Sequence, residues 1–157
     1  MSQGGQATFI YCFHQGGCPE RLKLDGLQLQ YIKNPTPKMN LIAVQNDGRA
    51  LQYVKRQTLK LCLEAVKQNG MSLEYVKKQT PEICLEAVKQ NGWSIQFVKE
   101  QTHEICIEAA KQSWLSFQYI KEKDYEICLE AVKQNGMALR FIEDQTLEIC
   151  LEAVKEN

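Results

Sequence analysis

The stretch that decides the fold is Met71–Gly92, MSLEYVKKQTPEICLEAVKQNG. The next stretch, Trp93–Trp114, reads WSIQFVKEQTHEICIEAAKQSW and follows the same pattern. Leu27–Gly48, LQLQYIKNPTPKMNLIAVQNDG, is a diverged copy. The repeat has a strict period of 22 residues, and such a period is typical of a solenoid. It defines six units, numbered 1 to 6 here: 27–48, 49–70, 71–92, 93–114, 115–136 and 137–157.

Each unit is predicted to contain two short helices. In unit 3, Thr80 is a good N-cap residue and Pro81 suits the first helical position, so a helix is expected from there to about residue 91. Gly92 is expected to end that helix in the left-handed conformation. A shorter helix, which precedes it, is predicted from about Ser72 to Lys78.

The apolar positions of the longer helix predict that the units stack. On a helical wheel Ile83, Cys84, Ala87, Val88 and Leu85 span about 200°, which is wider than the stripe of a helix with one buried side. Such a helix needs neighbours on more than one flank. Because helices this short are marginal in isolation, we predict an all-α solenoid in which the stacked units share one core.

The two ends depart from the repeat. Residues 1–26 are poor in the motif and are predicted to form a non-repeat N-terminal capping segment before the α-helical repeat domain, 27–157. Ile42 stands where the later units carry glutamate, which indicates that this segment covers it. No polar capping helix follows the last unit, so its core face is expected to be open to further units or to another molecule.

The composition narrows the function classes. The chain has 157 residues, 19 basic and 19 acidic side chains and 44% hydrophobic residues. A net charge of zero lacks the positive excess of nucleic-acid binders, so that role is ranked low. No apolar run reaches about 18 residues, and the first residues do not resemble a secretory signal. Without a Gly-rich phosphate loop or an acid–base constellation, no enzyme is predicted.

The phrases LEYVKKQT, at 73–80, and EICLEAVKQNG, at 82–92, resemble a short tandem repeat family. This family is classed as a domain of unknown function, is abundant in giant DNA viruses of amoebae and also occurs in some bacteria. The resemblance covers about residues 27–157. It implies tandem α-helical units, no established catalysis and a role in protein interaction, in a viral protein that acts inside an amoebal cell. It transfers no catalytic residue.

The chain has seven cysteines, five of which recur every 22 residues on the longer helix. Packed helices lie about 8–10 Å apart, too far for a ladder of disulfides between units. These cysteines are predicted to be apolar core residues that remain thiols, which fits a reducing intracellular compartment. Cys12, His14 and Cys18 form a separate cluster, but structural zinc needs four ligands, so no metal or cofactor is assigned and zinc stays the alternative. The periodic cysteines are Cys62, Cys84, Cys106, Cys128 and Cys150.

Positions that differ between units are the candidates for binding a partner, because the identical positions mostly encode packing. His103 and Tyr125 stand at the turn between the helices. The end of the first helix changes from Lys55-Arg56 to Glu143-Asp144 along the chain, which favours head-to-tail association into a homo-oligomer. Neutral drift on a solvated surface is the alternative. The candidates on the first helix are Gln52, Glu74, Gln96, Gln118 and Arg140.

Two tryptophans interrupt the pattern at neighbouring turns. Trp93 follows Gly92, and Trp114 stands where the other units have the glycine that ends the helix. Because tryptophan does not adopt the left-handed conformation cheaply, the turn at Trp114 is expected to be reshaped. The two indoles are either an anchor for a partner, since Trp is enriched at binding hot spots, or Trp114 fills space left by the small Ala110.

The function that the sequence favours is a non-catalytic α-solenoid scaffold for protein–protein interaction, with the partner unidentified. The aromatic residue that recurs once per unit, from Tyr53 to Phe141, is assigned to core packing, although RNA-reading repeats stack bases on such a column. One alternative is a self-associating structural protein of a viral assembly, and a nucleic-acid-binding repeat protein is less favoured. A viral protein of this kind is expected in the host cytoplasm or the virion.

Overall fold

The computed structural model describes residues 19–155, within which all regular structure is helical and no strand occurs. Six-residue to ten-residue α-helices alternate with shorter 3₁₀ helices. The α-helices, called long helices here, are Pro19–Leu24, Pro37–Asn46, Leu59–Gln68, Pro81–Gln90, His103–Gln112, Tyr125–Gln134 and Leu147–Lys155. The 3₁₀ helices are Gly26–Tyr31, Gly48–Tyr53, Gly70–Tyr75, Gly92–Phe97, Ser116–Tyr119 and Gly136–Phe141.

The helices form two layers. Each long helix packs beside the next long helix, each 3₁₀ helix packs beside the next 3₁₀ helix, and each 3₁₀ helix also contacts the long helices that flank it in sequence. Hydrogen bonds at constant offsets of 18 and 20 residues recur between the elements, so successive units keep the same orientation. The predicted all-α solenoid is therefore confirmed.

The long helix is confirmed where the sequence predicts it. Thr80 caps it, with its hydroxyl accepting from the Ile83 N–H at 3.3 Å, and Pro81 is its first residue. The predicted left-handed end is wrong. Asn91, directly after the helix, is extended (φ −154°, ψ 110°), and Gly92 begins the next 3₁₀ helix without a left-handed φ.

The glycine of the turn is required by close packing. A Cβ on Gly70 would collide with the Ala87 carbonyl oxygen and lie 2.7 Å from the Ser94 hydroxyl. The Gly70 N–H donates to Gln90 Oε1 at 2.6 Å, which fixes the turn against the end of the following long helix. Glycine is needed here for what it lacks, a side chain, and not for its freedom in φ.

The predicted α-helix from Ser72 to Lys78 is also wrong. The chain forms a 3₁₀ helix over Gly70–Tyr75 and is extended at Val76 (φ −76°, ψ 114°). Six residues rise about 12 Å in a 3₁₀ helix and about 9 Å in an α-helix, so the tighter helix runs further along its long neighbour. The Asn69 side chain, which accepts from the Met71 N–H at 3.1 Å, sets its start.

The core lies between the layers. In unit 3 the long helix buries Ile83, Cys84, Ala87 and Val88, as its apolar arc predicts, and the 3₁₀ helix contributes Leu73. The recurring aromatics from Tyr53 to Phe141 are only half-buried for the most part; they lean against this core from the 3₁₀ layer. Their assignment to packing is supported, although they line its margin.

The ends are less covered than the middle. Helix Pro19–Leu24 packs against the long helix of unit 1, where Ile42 is half-buried; residues 1–18 of the predicted cap lie outside the described part. In unit 6 the Val154 side chain is 72% exposed, whereas Val132, 22 residues earlier, is buried. None of the helices within 19–155 has the length and apolar character that crossing a membrane requires.

Candidate functional site

A row of clefts follows one edge of the solenoid. Each cleft lies between two successive units, where the loop after a 3₁₀ helix meets the first turn of a long helix. Their volumes are about 560 Å³ between units 1 and 2, 340 Å³ between units 2 and 3, 220 Å³ between units 4 and 5, and 480 Å³ between units 5 and 6. We call this surface the inter-unit edge; it comprises 32–38, 54–60, 76–82, 98–104, 120–126 and 142–148.

Glutamine side chains hold the loops of this edge in register. Gln79 donates to the Phe97 carbonyl at 2.8 Å and accepts from the Lys99 N–H at 3.0 Å, so one side chain satisfies two backbone groups of the next unit. Gln57 and Gln101 make the same pair of bonds, at distances from 2.8 to 3.0 Å. Backbone groups near a surface are thereby paired without a sheet, and the edge becomes a regular frame.

Unit 5 lacks this connection. Lys123 stands at the glutamine position, and its ammonium donates to the Ile120 carbonyl of its own unit at 2.6 Å while lying 5.3 Å from the centre of the Phe117 ring. In unit 6, Gln145 bonds only to carbonyls of its own unit, Leu139 and Ile142. The frame is therefore regular through Gln101 and different after it.

The inter-unit edge changes sign along the solenoid. The edge of unit 2, 54–60, has three basic side chains and no acidic one, whereas the edge of unit 6, 142–148, has three acidic side chains and no basic one. Units 3 to 5 carry both signs. All six of these side chains are exposed. They are Lys55, Arg56 and Lys60 in unit 2, and Glu143, Asp144 and Glu148 in unit 6.

Exposed apolar side chains lie among these charges. The first residue of the long helix is Leu59 in unit 2, Tyr125 in unit 5 and Leu147 in unit 6, with 50%, 45% and 77% of the residue exposed. Large apolar groups that stay this open on an otherwise charged surface are typical of a contact surface. The inter-unit edge thus combines clefts, apolar tips and a graded charge.

The two candidates from the turn between the helices lie on this edge. His103 is exposed and sits between two carboxylates of the next unit, with Nδ1 2.8 Å from Asp124 and Nε2 3.2 Å from Glu126. Tyr125 hydrogen-bonds to Glu148 one unit further, and this bond raises the pKa of its phenol. Each first-turn residue therefore reaches an acid at the start of the next long helix.

The candidates on the first helix lie on a separate row, the outer side of the 3₁₀ layer, and all are exposed. Three of them donate their amide to a carbonyl three residues earlier in their own 3₁₀ helix, at 2.9 to 3.0 Å. Arg140 lies over the Phe141 ring at 5.3 Å. The structure therefore does not bring this row together with His103 and Tyr125. The row is Gln52, Glu74, Gln96, Gln118 and Arg140.

The two tryptophans are half-buried and each contacts an aromatic ring further along the chain. Trp93 meets Tyr119 at 5.7 Å between ring centres, and Trp114 stacks on Phe141 at 6.3 Å. The turn at Trp114 is reshaped: the 3₁₀ helix after it shrinks to Ser116–Tyr119 and has no side-chain cap. Because no turn is left-handed, the cause is the bulk of the indole at a position where glycine packs closely.

The periodic cysteines are free thiols, and four of them are buried. Burial raises the pKa of the thiols of Cys62, Cys84, Cys106 and Cys128, which keeps them protonated and weakly nucleophilic. Within residues 19–155 no group of three or more His, Cys, Asp or Glu side chains is placed to hold a metal ion. Cys12, His14 and Cys18 lie outside the described residues.

Two features of the edge were missed by the sequence reasoning. The glutamine bridges had a visible signal, since Gln57, Gln79 and Gln101 recur every 22 residues. The charge gradient was seen only in the loop; a second column, at the second residue of each long helix, follows it. That column reads Lys38, Lys60, Glu82, Glu104, Glu126 and Glu148.

Comparison with known proteins gives one family. No curated protein matches the chain, and no solved structure matches it. The family described as "Domain of unknown function (DUF4116)" matches in five overlapping tandem stretches, at 38–79, 58–102, 80–123, 102–147 and 124–157. Since these matches cover most of the sequence and advance by about 22 residues, the chain belongs to the DUF4116 repeat family.

Proposed function

We propose that this protein is a non-catalytic scaffold that binds another protein along the inter-unit edge. The observation that carries the proposal is the row of clefts in which a repeated frame of helix starts and glutamine bridges presents side chains that change from unit to unit. A fixed frame with variable side chains is how repeat solenoids present an extended binding surface. The proposed setting is intracellular, since the periodic cysteines remain thiols.

A photo-crosslinking amino acid placed on the edge tests this proposal in the cell that makes the protein. We expect protein adducts when it replaces Leu59 or Leu147, which are exposed on the edge. The matched controls are Lys67 and Lys89, which are exposed in the last turns of the long helices of units 2 and 3, away from the edge. Adducts that are equally frequent at the control positions, or that contain nucleic acid, would contradict the proposal.

A self-associating structural protein of a viral assembly, in a giant virus, is the second candidate. The observation that favours it is the opposite charge of the two ends of the edge, together with the exposed Val154 at the last core position. In the crosslinking experiment this candidate predicts adducts of the protein with itself, from edge positions and from residue 154.

A further inference from the structure

We propose that the inter-unit edge binds the same edge of a second copy of the chain, in antiparallel orientation, to form a closed dimer. This inference rests on the proposed function and names the partner. Its basis is that charge and exposed apolar side chains along the edge are complementary to themselves after a half turn. A two-fold interface requires such self-complementarity, since residue i of one copy faces residue j of the other and the reverse.

The charges satisfy that requirement unit by unit. With the two-fold axis between units 3 and 4, unit 1 faces unit 6, unit 2 faces unit 5 and unit 3 faces unit 4. The basic edges 32–38 and 54–60 then oppose the acidic edge 142–148 and the mainly acidic edge 120–126. In the centre, Lys77 and Lys78 oppose Glu100 and Glu104. A parallel arrangement would instead bring like charges together, which is unfavourable.

The lysines of unit 5 do not disturb the pairing. The ammonium of Lys123 donates to the Ile120 carbonyl at 2.6 Å, and that of Lys121 donates to the Lys99 carbonyl at 3.3 Å. Both are bound to backbone oxygens of their own chain. The carboxylates of this edge, Asp124 and Glu126, are exposed. Unit 5 therefore presents acid toward a partner although it contains two lysines.

The apolar side chains pair in the same register. At the first position of the long helices, Leu59 of one copy faces Tyr125 of the other, and Pro37 faces Leu147. Leu59, Tyr125 and Leu147 are among the large apolar residues that the single chain leaves exposed. Exposed charge pairs are weak individually, so burial of these side chains supplies the affinity, while the charges set orientation and register.

The edge is long enough for a stable contact. Six units spaced by about 10 Å, the usual distance between packed helices, give an edge of roughly 50 Å. A strip of that length and about 10 Å wide buries on the order of 1,000 Å² over both partners, the lower limit for a specific interface. The dimer is therefore expected to be weak and sensitive to salt.

Sedimentation velocity over a range of concentrations and salt tests the inference with the full chain. At low ionic strength we expect the mass to rise from 18.1 kDa to twice that value and to stop there. Salt at about 1 M, where the screening length is only about 3 Å, should weaken the dimer by at least about tenfold. A chain that stays monomeric at low salt, or a mass that keeps growing as in end-to-end stacking, would overturn it.

Charge exchange distinguishes this dimer from other self-association. The triple variant Lys55→Glu, Arg56→Glu, Lys60→Glu has an edge acidic at both ends, and Glu143→Lys, Asp144→Lys, Glu148→Lys has one that is mainly basic. Each variant alone should be monomeric, and an equal mixture should form a heterodimer. Variants that pair alone, or a mixture that stays monomeric, would contradict the antiparallel register.

A matched control changes the same net charge away from the edge. Lys67→Glu, Lys89→Glu, Lys111→Glu alters exposed residues in the last turns of three long helices and should leave the dimer intact. Circular dichroism of every variant verifies that the helices are retained. If the wild-type chain is monomeric but edge positions still crosslink to a different protein, only this inference fails and the proposed scaffold function stands.

Discussion

The turn at Asn69-Gly70 and the turn at Ser113-Trp114 occupy the same place in the repeat but hold their surroundings differently. At the first, the Asn69 side chain caps the 3₁₀ helix, and Gly70 lies close enough to the next long helix to donate to Gln90. At the second, no side chain caps the helix, which is four residues long instead of six.

Aromatic packing replaces the polar connections in unit 5. Trp114 stacks on Phe141, and Phe117 fills the buried position that is leucine or isoleucine in units 2 to 4. The loop of the same unit has Lys123 where its neighbours have glutamine. The repeat can therefore fasten its units in two ways, through backbone groups satisfied by side-chain amides or through stacked rings. The following substitutions separate the two.

Gly70→Ala should have the largest effect. Its Cβ would collide with the Ala87 carbonyl oxygen, a backbone atom that cannot move independently, so we expect a loss of about 3 kcal/mol in the free energy of unfolding. Gly92→Ala is the matched control, because its nearest atoms are Gln112 Cβ at 2.8 Å and the Ala109 oxygen at 3.4 Å, and it should cost clearly less.

Urea denaturation followed by circular dichroism measures both variants. Because a solenoid can unfold in parts, hydrogen exchange of the amides around Gly70 should accompany it. Equal destabilisation by the two alanines would show that the turns need glycine for a reason other than close approach.

Trp114→Ala should cost about 2 kcal/mol, less than the loss for a fully buried tryptophan, because the indole is half-buried but stacks on Phe141. Trp114→Phe retains a ring and should recover at least half of the loss. The measurement is the thermal midpoint together with crosslinking from the edge. Unchanged stability with lost partner capture would make Trp114 an anchor for a partner instead of a packing residue.

The sequence predicted the long helix well because its signals are local. Thr80 and Pro81 fix its start whatever surrounds them, and its apolar arc predicts burial on two flanks. The 3₁₀ helix and the role of Gly70 could not be predicted in the same way. Both depend on how closely the following long helix approaches, a distance that appears only once the units are stacked.

The candidate site was predicted in part for a similar reason. His103 and Tyr125 do lie on the inter-unit edge, whereas the column that contains Gln52 lies on the other row. A column of variable residues shows where units differ, but the sequence does not tell which columns share a surface. The contact of His103 with the carboxylates of Asp124 and Glu126 joins residues of two units, so it requires the packed structure.

Gln79→Ala should cost about 1.5 kcal/mol. It leaves the Phe97 carbonyl and the Lys99 N–H without the side-chain amide that satisfies both. Gln145→Ala is the control, since Gln145 bonds only within unit 6, and it should change stability by less than about 0.5 kcal/mol. Comparable losses for the two variants in urea denaturation would contradict the view that the glutamines hold successive units together.

Ser72→Ala should have the smallest effect and the opposite sign. The Ser72 hydroxyl is buried and has no hydrogen-bond partner among the described residues, so its removal should stabilise the chain by about 0.5 kcal/mol. Ser116, 44 residues later, is equally buried, but its hydroxyl donates to the carbonyls of Ala109 and Ser113 at 2.7 and 2.6 Å. Ser116→Ala should therefore destabilise by about 1 kcal/mol, because the uncapped turn at Trp114 depends on that hydroxyl. Urea midpoints that move in the same direction for both alanines would show that the turn of unit 5 is held as the regular turns are.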